Sequence, residues 1–111
     1  MTHVVLTCSY DGRLRELCAS GHAGHGKTGH DIVCAAESFL LRTVIDVLES
    51  GGDALLLEKD LSRRGELRLK VADYGKSAVE RLSCVADFVR KGMQSLSEDY
   101  PESVSFKEVR E

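Results

Sequence analysis

The feature that most constrains the fold is a pair of long segments with helical apolar spacing, each preceded by short runs typical of β-strands. Apolar residues recur at intervals of three and four over residues 32–50 and again over 76–97, which predicts two amphipathic helices. The predicted core-facing residues of the first helix are Val33, Ala36, Leu40, Val44 and Val47, and those of the second are Val79, Leu82, Val85 or Ala86, Val89, Met93 and Leu96.

Five runs are predicted to be strands, at residues 3–9, 14–20, 54–59, 66–71 and around 104–109. Asp11-Gly12 between the first two favours a two-residue hairpin turn, which would place Cys8 opposite Arg15 and Cys18 opposite Val5. The element order is then ββαββαβ. Such an order predicts an α+β fold, a two-layer sandwich with a mostly antiparallel sheet and both amphipathic helices on one face.

Length and charge limit the possible classes of function. The 111 residues are predicted to form a single domain, residues 1–111. The net charge is -3, with acidic and basic residues interspersed, so direct nucleic-acid binding is not expected. No apolar run is long enough to cross a bilayer and the N-terminus does not resemble a secretion signal, so we expect a cytoplasmic protein that does not contact membranes.

The four cysteines, at positions 8, 18, 34 and 84, include no C-x-x-C pair, which argues against a zinc ribbon or a redox dithiol. Cys8, Cys18 and Cys84 are expected to be small core side chains, because free cysteine is often buried.

Functional interest concentrates in residues 21–38. Residues 21–30 contain four Gly and three His without apolar periodicity, which predicts a loop. Residues 21–28 also satisfy G-x-x-x-x-G-K-[ST]. A phosphate-binding loop is nevertheless not expected: the next helix is predicted to begin only after Asp31 as N-cap, and the preceding strand belongs to a hairpin.

A metal site is a second interpretation of the same segment. His22, His25, His30, Asp31 and Cys34 are ligand types that suit zinc or nickel, but their spacing follows no common closed-site pattern. We therefore expect no metal and no cofactor, with His25 and His30 as exposed loop residues. A metal-dependent hydrolase that uses His22, His25, His30 and Asp31 remains an alternative.

A thiol nucleophile is the third interpretation. With Asp31 as N-cap, Cys34 lies in the first helical turn, where unpaired N–H groups and the helix dipole favour a thiolate. The Gly-rich loop can return His22 to the sulfur as general acid and base, and N–H groups of the helix start, including that of Cys34, would stabilise an oxyanion. Asp31 either caps the helix or orients the imidazole. Ser38 either hydrogen-bonds around the site or bonds back to the carbonyl of Cys34.

The pattern resembles the signature of the ribosomal-processing cysteine proteases, the Prp or YsxB-like family. The matching residues are Gly21-His22-Ala23, Gly29, Asp31-Ile32-Val33-Cys34-Ala35-Ala36 and Ser38. The chain departs from the family at Glu37, where an apolar residue is usual, and at Lys27-Thr28, which replace acidic or aromatic residues.

The resemblance implies a cysteine endopeptidase that removes a short N-terminal extension from a large-subunit ribosomal protein and works as a homodimer. It makes Cys34 the nucleophile and His22 its partner, with Asp31 and Ser38 in support. Gly21, Ala23 and Gly29 complete the motif. A non-catalytic ribosome-assembly module of the same fold, which would bind the same ribosomal segment, is a further alternative.

Overall fold

The computed structural model describes residues 1–21, 28–62 and 65–111, and the side chains of residues 28–31 are not described. The elements in chain order are β1 (Thr2–Cys8), β2 (Leu14–Ser20), α1 (Thr28–Glu49), β3 (Leu55–Asp60), β4 (Glu66–Tyr74), α2 (Val79–Asp99) and β5 (Val104–Arg110). Short 3-10 turns, Gly52–Ala54 and Lys76–Ala78, precede β3 and α2. The order of strands and helices is the predicted one.

The five strands form one mixed sheet in the order β3-β4-β2-β1-β5. Neighbouring strands are antiparallel except for β1 and β5, which pair in parallel along their whole length. Thr2, Val4, Leu6 and Cys8 of β1 are buried, and the residues between them are more exposed, so one face of the sheet carries the core. The predicted α+β two-layer fold is confirmed. Within the described ranges, no helix combines the length and apolar character needed to cross a bilayer.

The β1–β2 hairpin differs from its prediction by one residue. The N–H of Ser9 donates to the carbonyl of Arg13 at 2.9 Å, which leaves a three-residue loop that ends at Gly12 with φ +92°. A loop of this kind adds one residue to a strand, so Cys8 pairs with Leu14 and not with Arg15. Cys18 lies opposite Val5, as predicted.

The predicted core-facing residues are confirmed for α2 but only partly for α1. In α2 the stripe is confirmed, with Leu82, Val85, Ala86, Val89 and Met93 buried. In α1 the predicted Ala36 and Val47 are exposed, and the buried residues are Val33, Glu37, Leu41, Val44, Ile45 and Leu48. Because α1 is apolar around much of its circumference, several stripes fit its sequence. The stripe that faces the core contains a glutamate, which a search for apolar periodicity passes over.

The prediction that Asp31 is the N-cap is wrong, because α1 already begins at Thr28. Apolar periodicity starts only at Ile32, because residues 28–31 include no apolar side chain. Periodicity therefore could not mark the first turn of this helix. One reason against a phosphate-binding loop therefore fails, since the helix begins directly after Lys27. The other reason holds: β2 is antiparallel to both of its neighbours, β1 and β4.

Candidate active site

The thiol of Cys34 lies where α1 meets the first residue of β1. Its Sγ is 3.8 Å from Oγ1 of Thr2, and either atom can be the donor. Cys34 is half-buried and Thr2 is buried. The sulfur is therefore at the edge of the core and partly accessible, as a nucleophile must be.

The helix starts four residues earlier than predicted, which changes the role of the Cys34 backbone. Cys34 is the seventh residue of α1, so its N–H bonds within the helix and is not a free oxyanion donor. The unpaired N–H groups of an α-helix lie at its start, here those of residues 28–30 among the described residues. Helical side chains lean toward the N-terminus, so the sulfur still approaches this first turn and its positive dipole end.

Gly21 brings the end of β2 against the start of β1. Its φ is +110°, and a Cβ at this position would lie 2.3 Å from the carbonyl oxygen of Met1 and 3.1 Å from Cα of Thr2. Both the backbone angle and the close approach require glycine. Gly21 thus lies against Met1 and Thr2, and Thr2 also contacts the Cys34 sulfur.

The remaining predicted residues of the His-rich segment fall mostly outside the described part of the chain. His22, Ala23 and His25 lie outside the described residues. For Gly29, His30 and Asp31 the structure gives the helical backbone only. The distance from His22 to Cys34 and the metal alternative therefore stay predictions.

Glu37 is the buried polar residue that sequence reasoning missed. It lies three residues after Cys34 and is 6% exposed. Burial raises the pKa of its carboxyl, and the hydroxyl of Thr2, positioned to hydrogen-bond to it, lowers that pKa to a smaller extent. Its Oε2 has no hydrogen-bond partner among the described residues. The signal was its place four residues from both Val33 and Leu41, on the core-facing line of the helix.

The outer face of α1 beside Cys34 is apolar and exposed. The residues that share this face, called here the outer stripe, are Ile32, Ala35, Ala36 and Phe39. Ile32 is 62% exposed and Phe39 74%. Ser38 is also exposed and makes no side-chain hydrogen bond to a described residue, so of its two alternatives the bond to the Cys34 carbonyl is not formed.

The other three cysteines differ in their surroundings. Cys8 is buried and Cys18 half-buried, and burial is the main cause that raises the pKa of each thiol. Cys84 is exposed on α2, so the prediction that it is a core side chain is wrong. It lies on the flank of α2 that faces a groove toward α1, one position before the buried Val85.

Comparisons with known proteins agree with this architecture. A family model described as cysteine protease Prp matches residues 1–105. The ribosomal processing cysteine protease Prp of Staphylococcus aureus (strain Mu50) is 44% identical over 41 residues, which are 37% of this chain and 39% of that relative. The matched part thus spans less than half of that relative's length.

Solved structures share the fold over the whole chain. SMU.848 from Streptococcus mutans superposes with a TM-score of 0.81 and 28% identity, covering 100% of this chain and 96% of the other. The essential ribosomal processing protease Prp from S. aureus, solved in complex with a substrate peptide, superposes with a TM-score of 0.78 and 20% identity. The match covers 97% of this chain and 99% of the other. The latter likeness concerns the fold alone. Because the family model matches nearly all residues of this chain, the chain belongs to the cysteine protease Prp family.

Proposed function

We propose that the chain is a cysteine endopeptidase in which the Cys34 thiolate is the nucleophile and His22 the general acid and base. One observation carries the proposal: Gly21 packs on Met1 and Thr2, and Thr2 contacts the Cys34 sulfur. The residue that follows Gly21 is His22. Gly21, the position directly before His22, thus lies against the segment that contacts the thiol, and this supports His22 as the partner of Cys34.

The reaction follows the chemistry of a thiolate with an imidazole partner. The sulfur of Cys34 attacks the carbonyl carbon of the scissile peptide bond, and free N–H groups of the first turn of α1 stabilise the oxyanion. Imidazolium of His22 gives its proton to the leaving amine as the C–N bond breaks, which leaves a thioester on Cys34. Neutral His22 then takes a proton from water, the hydroxide attacks the thioester, and the thiolate leaves as the acid product forms.

The supporting residues follow from the observed helix start. Because α1 begins at Thr28, Asp31 lies within its first turn, and of its two predicted roles the capping one falls away. Asp31 is therefore assigned to orient the imidazole of His22. Gly29 adds no side chain at its position in the first turn, and the exposed Ser38 offers a hydroxyl to the substrate backbone.

The proposed substrate is the N-terminal extension of a large-subunit ribosomal protein, cut in the cytoplasm where such proteins are made. The outer stripe supports this substrate class, because it offers exposed apolar surface directly beside Cys34 to an apolar or aromatic peptide segment. Neither nucleic acid nor membrane takes part in the proposed reaction.

A homodimer is proposed as the working form. A groove of about 470 Å³ between α1 and α2 supports it, because its apolar wall includes Val47 and Phe88, which are 41% and 63% exposed. A second copy of the chain would cover these residues. Light scattering of the wild type should give the mass of a dimer and Phe88→Asp that of a monomer, whereas a wild-type monomer would contradict the proposal.

The activity is tested with the unprocessed ribosomal protein as substrate. The wild type should shorten it, Cys34→Ala and His22→Ala should abolish cleavage, and Cys84→Ala serves as a matched thiol control that should cut at the wild-type rate. A wild type that binds the segment without cutting it would favour the assembly module. Cleavage lost in EDTA and restored by zinc would favour the metal-dependent hydrolase.

A further inference from the structure

The hydroxyl of Thr2 lies between two ionisable groups of α1. Its Oγ1 is 3.8 Å from the sulfur of Cys34, and the same hydroxyl is positioned to hydrogen-bond to the carboxyl of Glu37. Thr2 is 4% exposed and Glu37 6%, so bulk water does not readily replace either contact. The three groups form a short polar row in an otherwise apolar part of the layer between helix and sheet.

A threonine hydroxyl has a single hydrogen to donate, and this fixes the possible arrangements. When Glu37 is ionised it is an acceptor only, so the Thr2 hydrogen points to the carboxylate and the sulfur meets a lone pair of Oγ1. That arrangement suits a thiol, which can donate S–H to the oxygen. When Glu37 is protonated it can donate to Oγ1, and the hydrogen of Thr2 is free to point to a thiolate.

We propose that Thr2 and Glu37 are positioning residues that couple the charge of the Cys34 sulfur to the protonation of Glu37 through the Thr2 hydroxyl. A neutral Glu37 orients the hydroxyl as a donor to the thiolate, and an ionised Glu37 turns that donor away. Any consequence for peptide cleavage rests on the proposed function of Cys34. The coupling itself is a property of the side chains and can be measured without substrate.

The surroundings of Glu37 oppose its ionisation. Burial raises the pKa of the carboxyl, and the Thr2 hydroxyl is the one other group among the described residues that affects it. No charged side chain on the described parts of α1, β1 or the elements packed against them contributes to that pKa, and Cys34 is the neighbouring titratable group on the same helix. The unpaired Oε2 also opposes ionisation, because a buried carboxylate oxygen without a hydrogen-bond donor is costly.

The test is the rate of iodoacetamide alkylation at Cys34, resolved by peptide mass spectrometry across pH 5–9 in the full chain. In Glu37→Gln the side chain is neutral at every pH and its amide can donate to Thr2. The pH midpoint of Cys34 alkylation should therefore fall by about one unit in this variant. In the Thr2→Val background the same Glu37→Gln change should move the midpoint by less than half as much. Thr2→Ser, which keeps the hydroxyl, should restore the full shift. Glu80→Gln, an exposed glutamate on α2, is the matched control and should leave the midpoint unchanged.

Two results would overturn the coupling. An equal shift in the wild-type and Thr2→Val backgrounds would mean that Glu37 acts on the sulfur directly through space, and no shift in either would mean that it does not act at all. Thermal unfolding of each variant shows that it is folded, and Thr2→Ser gives the answer should Thr2→Val not fold. Peptide cleavage measured in parallel separates this inference from the proposed function: a coupled but inactive wild type would contradict the peptidase alone.

Discussion

The two ends of strand β1 differ in whether their ionisable side chains have a partner of opposite charge. At the turn end, defined by Cys8 with Arg90 and Glu108, the half-buried charges are paired: Arg90 Nε donates to Glu108 at 2.8 Å and its Nη1 to Asp87 at 2.7 Å. The Arg90 hydrogen bond holds the pKa of Glu108 below its usual range. At the site end, defined by Thr2 with Gly21, Cys34 and Glu37, a carboxyl is buried without a cation among the described residues, and its pKa is raised.

The two thiols at these ends show what the difference means for reactivity. Cys8 is 0% exposed and lies 3.7 Å from Nη2 of Arg90, yet burial and the charge of Glu108 raise the pKa of its thiol. Arg90 lowers the pKa of this thiol, but burial and the charge of Glu108 outweigh it. Cys34 has no such pairing among the described residues and is partly accessible. The turn end is therefore built for stability, whereas the site end keeps an unmatched polar group, as functional sites often do.

The largest expected difference between the ends is in the stability lost when a glycine is replaced by alanine. Gly21→Ala combines a left-handed φ with a Cβ 2.3 Å from a backbone oxygen, and we expect it to lower the free energy of unfolding by about 3 kcal/mol or more. Gly12 also has positive φ, but its nearest atom is the flexible end of Arg110 at 3.7 Å, so Gly12→Ala should cost about 1 kcal/mol. Urea unfolding at pH 7 measures both. Equal losses would mean that the close approach at the site end does not exist.

A smaller effect, of opposite sign at the two ends, is expected from removing each carboxylate. Glu108→Gln breaks the pair with Arg90 and should lower the free energy of unfolding by about 1–2 kcal/mol. Glu37→Gln removes a buried carboxyl whose raised pKa makes it destabilising above the usual glutamate pKa, and it should raise the free energy of unfolding by about 1 kcal/mol at pH 8. Losses in both variants would show that the site end is as well matched as the turn end.

The slopes of stability against pH should also be opposite. The folded chain holds the Glu37 proton more tightly than the unfolded chain, so stability should fall as the pH rises from the usual glutamate pKa to the raised one. Glu108 binds its proton less tightly when folded, so its contribution is lost as the pH falls below the usual value. Urea unfolding from pH 3 to 8 should show that Glu37→Gln removes the first slope and Glu108→Gln the second. Slopes that neither variant changes would contradict the assignment.

Much of the fold could be predicted from the sequence because local signals carry it. The alternation in Leu67, Leu69 and Val71 and the stripe of α2 each mark an element and its buried face. The His-to-Cys motif identified the family. The three-residue turn at Gly12 and the parallel pairing of β1 with β5 have no comparable local pattern.

What could not be predicted at the site depends on contacts between distant residues. Thr2 and Cys34 are 32 positions apart, and no periodicity relates them. Glu37 departs from the family pattern, but hydrophobic patterning does not predict its burial, because it assigns a glutamate to solvent. The helix start at Thr28 was missed because its first turn carries no core-facing apolar residue.

The central claim is that Cys34 carries an activated thiolate, and the order of alkylation at pH 7 tests it most directly. Exposure alone ranks the exposed Cys84 first, the half-buried Cys18 and Cys34 next and the buried Cys8 last. Activation instead predicts that iodoacetamide modifies Cys34 before Cys84 in the folded Phe88→Asp monomer, in which no second copy covers the groove that Cys84 lines. Labelling in the order of exposure, with Cys84 ahead of Cys34, would contradict the account.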